Sequence, residues 1–140
     1  MVLADPEGNE LCVLEPRERF TGKSLASIVV DCAYPRRLAA FWRDVIDWTV
    51  EAESDHAVTL SDPDGRRPDL DFVAVPEPKV VKDRFHLDVA PWASDDQAAE
   101  VERIIALGAS HADVGQGPDC TWVVLSDPEG NEFCVLSSRD

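Results

Sequence analysis

Val2 to Leu14 reads VLADPEGNELCVL, and Val124 to Leu136 reads VLSDPEGNEFCVL. Eleven of the thirteen positions are identical, although the copies start 122 residues apart. A shorter version, LSDPDG, occupies Leu60 to Gly65. Repetition of this kind marks a recurring unit of structure. The physics of the phrase predicts a strand, a turn and a second strand. In the later copy Val123, Val124 and Leu125 favour extended chain. Pro128 then presets its own φ, Gly130 supplies a positive φ, and Asp127 and Asn131 can bond nearby backbone groups. Phe133, Cys134, Val135 and Leu136 return as the second strand, so the loop has about five residues.

Upstream of the later copy the same order of elements occurs twice. Residues 24–33 read as a strand. Pro35 to Ile46 reads as a helix, because Leu38, Phe41, Trp42, Val45 and Ile46 recur at i, i+3, i+4, i+7 and i+8, and Pro35 suits a first turn. Strands are expected at Trp48–Glu53, Ala57–Leu60 and Leu70–Val75. Pro76 to Lys79 reads as a short stiff linker. A strand at Arg84–Val89 follows, then a helix with Ser94 as N-cap, Gln97 completing a capping box and Gly108 as the C-terminal stop. Strands at Ser110–Val114, Thr121–Leu125 and Glu132–Leu136 close the second half. Each half is βαβββ, so the expected class is α+β, with two βαβββ modules in tandem and an extra N-terminal hairpin.

Composition narrows the function. The chain has 140 residues, 44% of them apolar, and a net charge of −15. That is enough apolar material for one core. The charge repels phosphate backbones and anionic lipid, so nucleic acid and membrane are not expected partners. No apolar run of spanning length and no secretory leader pattern is read, so a cytoplasmic protein is expected. Cys12, Cys32, Cys120 and Cys134 form no C-x-x-C pair and are expected to be free thiols. Cys12 and Cys134 share one slot of the repeat, which favours packing there.

The phrases IVVDCAYPRRLAAFW, VPEPKVVKDRFHLDV and WVVLSDPEGNEFCVL, set in two βαβββ units, resemble the vicinal oxygen chelate superfamily. That superfamily includes glyoxalase I, bleomycin and fosfomycin resistance proteins and extradiol dioxygenases, and the chain looks most like its glyoxalase-like domain proteins. The resemblance covers about residues 24–140. It implies curved mixed sheets around a cleft, with ligands to a divalent metal on the first and last strand of each module. The four slots fall at Ser27, Asp71, His86 and Cys134. His86 and Asp71 keep good ligand chemistry, Cys134 could bind as a thiolate, and Ser27 is a poor ligand. The implied metal is zinc, iron, manganese or nickel, with a metal-free cleft as the alternative. Structural readings stand beside each: His86 bonded to Asp88, Asp71 solvated, Cys134 packed.

Strand alternation then sends Asp31, Asp71, His86, Asp88, Glu132 and Cys134 to the cleft side. Phe85, Leu87, Val89, Phe133 and Val135 are expected to face the helices. Carboxylates clustered around one histidine could supply a general acid or base, and solvated carboxylates on an open sheet are the plainer explanation. Arg84 could hold an anionic ligand. Trp122 is the candidate for stacking on a flat ligand, with Asp88 and Glu132 as further ligand contacts. Trp42 is read as core, Trp48 as either core or cleft, and His56 and His111 as surface residues.

Residues 1–22 are read as an extra hairpin and linker resembling the end of an upstream module. The domain proper is 23–140, with modules at about 24–76 and 83–138. A lone hairpin is marginal in water, so it is expected to dock. A second subunit is favoured slightly over the same chain, which would make the protein a homodimer. Two functions are weighed. The first is a small-molecule-binding protein with a degenerate metal site, and the alternative is a metal-dependent lyase, isomerase or dioxygenase on a small oxygen-bearing substrate. A third reading is a remnant or interaction module.

Overall fold

The computed structural model describes residues 1–15, 24–117 and 119–138. The expected boundary at 22/23, and the linker apart from Glu15, lie outside the described residues. The elements are β1 (Val2–Ala4), β2 (Glu10–Cys12), β3 (Ser27–Cys32), α1 (Pro35–Ile46), β4 (Thr49–Glu53), β5 (Ala57–Ser61), β6 (Asp69–Ala74), β7 (Leu87–Val89), α2 (Gln97–Leu107), β8 (Ser110–His111), β9 (Val123–Ser126) and β10 (Glu132–Val135).

Two four-stranded sheets share one topology. The orders are β3-β6-β5-β4 and β7-β10-β9-β8. In each, the first and last strands of the module run parallel, and the remaining pairs are antiparallel. This is the tandem α+β architecture that the repeated phrase predicts.

Helix α1 follows its sequence pattern. Pro35 stands in its first turn, and Leu38, Phe41, Trp42 and Val45 are buried. It ends at Asp47, which takes the left-handed conformation with φ 56°. Helix α2 starts differently from the expected capping box. Its N-cap is Asp96, whose carboxylate accepts from the N–H groups of Ala98 and Ala99, and Ser94 bonds Asp95 instead. A carboxylate there also meets the positive end of the helix. Gly108, at φ 123°, closes the helix as expected.

One core serves both modules. It joins Leu38, Phe41, Trp42 and Val45 of α1, Leu60 and Phe72 of the first sheet, Val101 and Ile104 of α2, and Leu125, Phe133 and Val135 of the second sheet. Phe133 lies edge-on to Trp42, with ring centroids 4.9 Å apart, and packs on Phe41 at 6.3 Å. Arg103 of α2 reaches across the modules and donates to the carbonyls of Asp44 and Val45, at 2.9 Å each. Those are orphan acceptors at the end of α1, so the contact caps one helix with a residue of the other.

Several sequence expectations need correction. The strand expected at Arg84–Val89 is regular only over Leu87–Val89, and Phe85 is 72% exposed rather than turned to the helices. Alternation presumes extended chain, and residues 84–86 leave the strand. The slot shared by Cys12 and Cys134 is a packing slot only in the second copy, because Cys134 is buried and Cys12 is exposed. Trp48 is half-buried against the core.

The two copies of the phrase build the same turn. In the first, the Asp5 carboxylate accepts from Glu7 N, Asn9 N and Asn9 Nδ2 at 2.8–2.9 Å. In the second, Asp127 accepts from Glu129 N, Asn131 N and Asn131 Nδ2 at 2.9–3.0 Å. Gly8 and Gly130 take φ 81° and 86°, which a side chain would strain. Their surroundings differ. Asp127 also accepts from the buried Trp42 Nε1 at 3.1 Å. The Glu129 carboxylate accepts from the N–H groups of Ala33 and Tyr34, at 2.6 and 2.8 Å, where the chain enters α1. The second-module turn is therefore fastened to the first module.

Candidate functional site

A cavity of about 630 Å³ lies along the seam between the modules. Strand β3 forms one wall through Val29 and Asp31. Residues 77–81 and 83–87 line it as well, together with Glu129 of the turn before β10 and Glu132 at the start of that strand. The volume is in the range of small-molecule sites. The linker read as a mere spacer contributes to this lining.

The structure brings together only some of the expected residues. Arg84, His86 and Glu132 line the cavity. Cys134 stands beside them, with Sγ 3.9 Å from His86 Nδ1. Asp88 is exposed on β7, in register with Cys134. Asp71 lies on β6, opposite Val29 of β3, and accepts from Thr59 Oγ1 at 2.6 Å. Ser27, the weak fourth slot, is half-buried opposite Asp69. Trp122 belongs to a second hollow of about 310 Å³ with Gln116, Cys120 and Val124, and its indole N–H donates to Gln116 Oε1 at 2.6 Å.

Charged residues that sequence reasoning missed organise the wall. Lys79 Nζ is 2.8 Å from Glu132 Oε2 and 3.7 Å from Asp83 Oδ2, and Asp83 N–H also donates to Glu132. Lys82 Nζ is 3.0 Å from His86 Nε2. An ammonium only donates, so in this pair Nε2 is the acceptor and Nδ1 carries the hydrogen towards Cys134. Nothing in the spacing of Lys79 and Lys82 announces these roles. Glu129 could have been flagged, because the repeat carries it unchanged in both copies.

Electrostatics follow from these contacts. Burial pushes the Glu132 carboxyl up, but the Lys79 ammonium and the N–H of Asp83 outweigh it and hold the group at about 2. Burial raises Asp83, Lys79 opposes this, and the neighbouring Glu132 charge adds to the rise. Burial also raises the Cys134 thiol, with the Asp88 charge acting in the same direction. Cys32 is pushed up to about 11 by burial and then by Glu129 and Asp127. Both thiols are thereby kept from the reactive thiolate form.

A pH test follows for the Lys79–Glu132 pair. A carboxyl depressed on folding stabilises the fold above its ordinary value, and the gain is lost as pH falls through the folded value. The Glu132 contribution should be complete above about pH 4.5 and fade towards about pH 2. Lys79→Met should remove most of that slope in urea titrations across the same window. An unchanged slope would mean the pair does not hold Glu132 down.

The fit to a metal can be judged from the donors. Among the described residues, no three His, Cys, Asp or Glu side chains form a group able to hold a metal ion. Asp71 is not brought to His86 and Cys134, and the Nε2 of His86 faces a lysine ammonium. The implied metal set does not fit this arrangement.

Two sheets of identical topology, with a cavity lined by residues of both modules, are the arrangement of a vicinal oxygen chelate protein. The chain belongs to the glyoxalase-like domain family, which matches residues 27–136. Solved structures with this fold include a glyoxalase/bleomycin resistance protein/dioxygenase family enzyme from Burkholderia phytofirmans. It is 21% identical, with a TM-score of 0.60, over 79% of this chain and 95% of that one. A glyoxalase-related enzyme from Fulvimarina pelagi is 14% identical, with a TM-score of 0.60, over 81% and 86%. A mutant of the fosfomycin resistance protein FosX from Listeria monocytogenes, complexed with Mn(II) and 1S,2S-dihydroxypropylphosphonic acid, is 12% identical, with a TM-score of 0.65, over 85% and 93%. At these identities the likeness concerns the fold. A comparison with curated proteins finds no match. No helix among the described residues is long and apolar enough to cross a membrane.

Proposed function

We propose that this chain is a small-molecule-binding protein whose ligand occupies the seam cavity without a metal held by His86, Asp71 and Cys134. One observation carries the reading. His86, the best of the implied ligands, is set between Lys82 and Cys134 at the wall of a cavity of ligand size. Lys82 faces one imidazole nitrogen, Nε2, and among the described residues no third ligand joins Nδ1 and the Cys134 thiol on the other side. The cavity itself is of ligand size, and apolar side chains of β3 and of residues 80–87 line it together with eight charged residues. The FosX neighbour holds a small phosphonic acid, which supports a ligand-binding use of the fold.

The test is thermal unfolding against a panel of neutral and anionic compounds, with and without a chelator. Elemental analysis of the wild type and of His86→Ala accompanies it. A ligand at a hundred times its Kd should stabilise the protein by about 2.7 kcal/mol, and the chelator should not change this. Stoichiometric metal that disappears in His86→Ala would overturn the proposal in favour of a metal-dependent lyase, isomerase or dioxygenase.

A further inference from the structure

Four large apolar side chains border the seam cavity while keeping much of their surface in water. They are Val29 (57% exposed), Val80 (82%), Val81 (73%) and Phe85 (72%). Single exposed apolar residues need no account, but four on one cavity form a patch that a ligand body can cover. Arg84 is set among them. Both of its Nη atoms donate to the backbone carbonyl of Glu7, at 3.1 and 3.2 Å, in the turn of the N-terminal hairpin. Among the described residues no carboxylate lies within ion-pair distance of Arg84, although the chain carries 28 acidic residues against 13 basic ones. Of the other cations of the wall, Lys79 is already paired with Glu132 and Lys82 stands against the His86 ring.

A guanidinium bonded to one neutral carbonyl, with the Asp5 charge acting on it only from beyond ion-pair distance, is an incomplete pairing. A carboxylate offers it two charge-assisted hydrogen bonds in matching geometry. Asp31, Glu77, Asp83, Asp127, Glu129 and Glu132 all line the same cavity and leave the ligand no room for a charge beyond the one that Arg84 pairs. We propose that the ligand is a small apolar monocarboxylate, with its body against Val29, Val80, Val81 and Phe85 and its carboxylate on Arg84. The carboxylate displaces the Glu7 carbonyl, so binding frees the N-terminal turn from its Arg84 anchor. This rests on the reading of the cavity as a ligand site and adds the ligand's class.

Benzoate and its neutral isostere benzamide test it by calorimetry on the full chain, with hydrogen exchange read over residues 1–13. Benzoate should bind at least tenfold more tightly than benzamide and raise exchange in the hairpin. Arg84→Gln should bring the two affinities within twofold and raise hairpin exchange without ligand. Arg84→Lys, which keeps the charge but not the fork, should fall between. Arg84 is exposed, and circular dichroism checks that both variants stay folded. Equal affinities in the wild type, or a preference that survives Arg84→Gln, would overturn the inference. If neither probe binds while other compounds stabilise the protein, the ligand class is wrong and the cavity still binds. If no compound of either charge binds, both readings fall.

Discussion

Replacing Phe133 by alanine should lower the free energy of unfolding by about 4 kcal/mol, the largest effect expected of a single side chain here. Phe133 is fully buried and touches Phe41 and Trp42, so the loss combines transferred apolar surface, edge-on aromatic contacts and an unfilled space. The repeat supplies an internal control. Leu11 holds the same slot in the first copy but is 43% exposed, so Leu11→Ala should cost under about 1 kcal/mol. Urea denaturation of the two variants measures both. Comparable losses would show that the N-terminal hairpin is buried in solution, as docking on a second subunit would require.

The second large effect belongs to Asp127. It is 4% exposed and accepts four hydrogen bonds, three within its turn and one from Trp42 Nε1. Asp127→Ala removes the turn's acceptor and leaves a buried indole N–H without a partner. A loss of about 3 kcal/mol is expected. Asp5→Ala breaks the same three turn contacts at the surface, where water replaces them, and should cost clearly less than Asp127→Ala. Asp127→Asn, which keeps an acceptor for the indole, should recover part of the difference. If Asp5→Ala and Asp127→Ala cost the same, the indole contact contributes nothing.

The repeat made the topology legible because turn chemistry is local. Asp, Pro, Gly and Asn impose the same bend wherever they stand, and Gly8 and Gly130 adopt nearly the same φ. Helix α1 was legible to the residue because its apolar period is unbroken from Leu38 to Val45. Residues 84–86 were not, because their departure from the strand depends on Lys82, Glu7 and the cavity rather than on pattern. Alternation also says which face a side chain takes, not where on that face it falls. Asp71 and Trp122 were therefore assigned to one cleft with His86, although the structure sets Asp71 against Thr59 and Trp122 in a separate hollow. The fastening of Glu129 to Ala33 and Tyr34 spans 96 residues and leaves no local signature.

The cross-module ties have a consequence for how a molecule enters. Arg103 pins α2 to the end of α1, Glu129 and Asp127 pin the last hairpin to its beginning, and the shared core fills the space between them. The halves are thus riveted rather than hinged, and prising them apart would begin to unfold the protein. The cavity is open to water along Val29, Val80, Val81 and Phe85, so a ligand can enter there without the halves parting. Its exchange rate should then be insensitive to global stability.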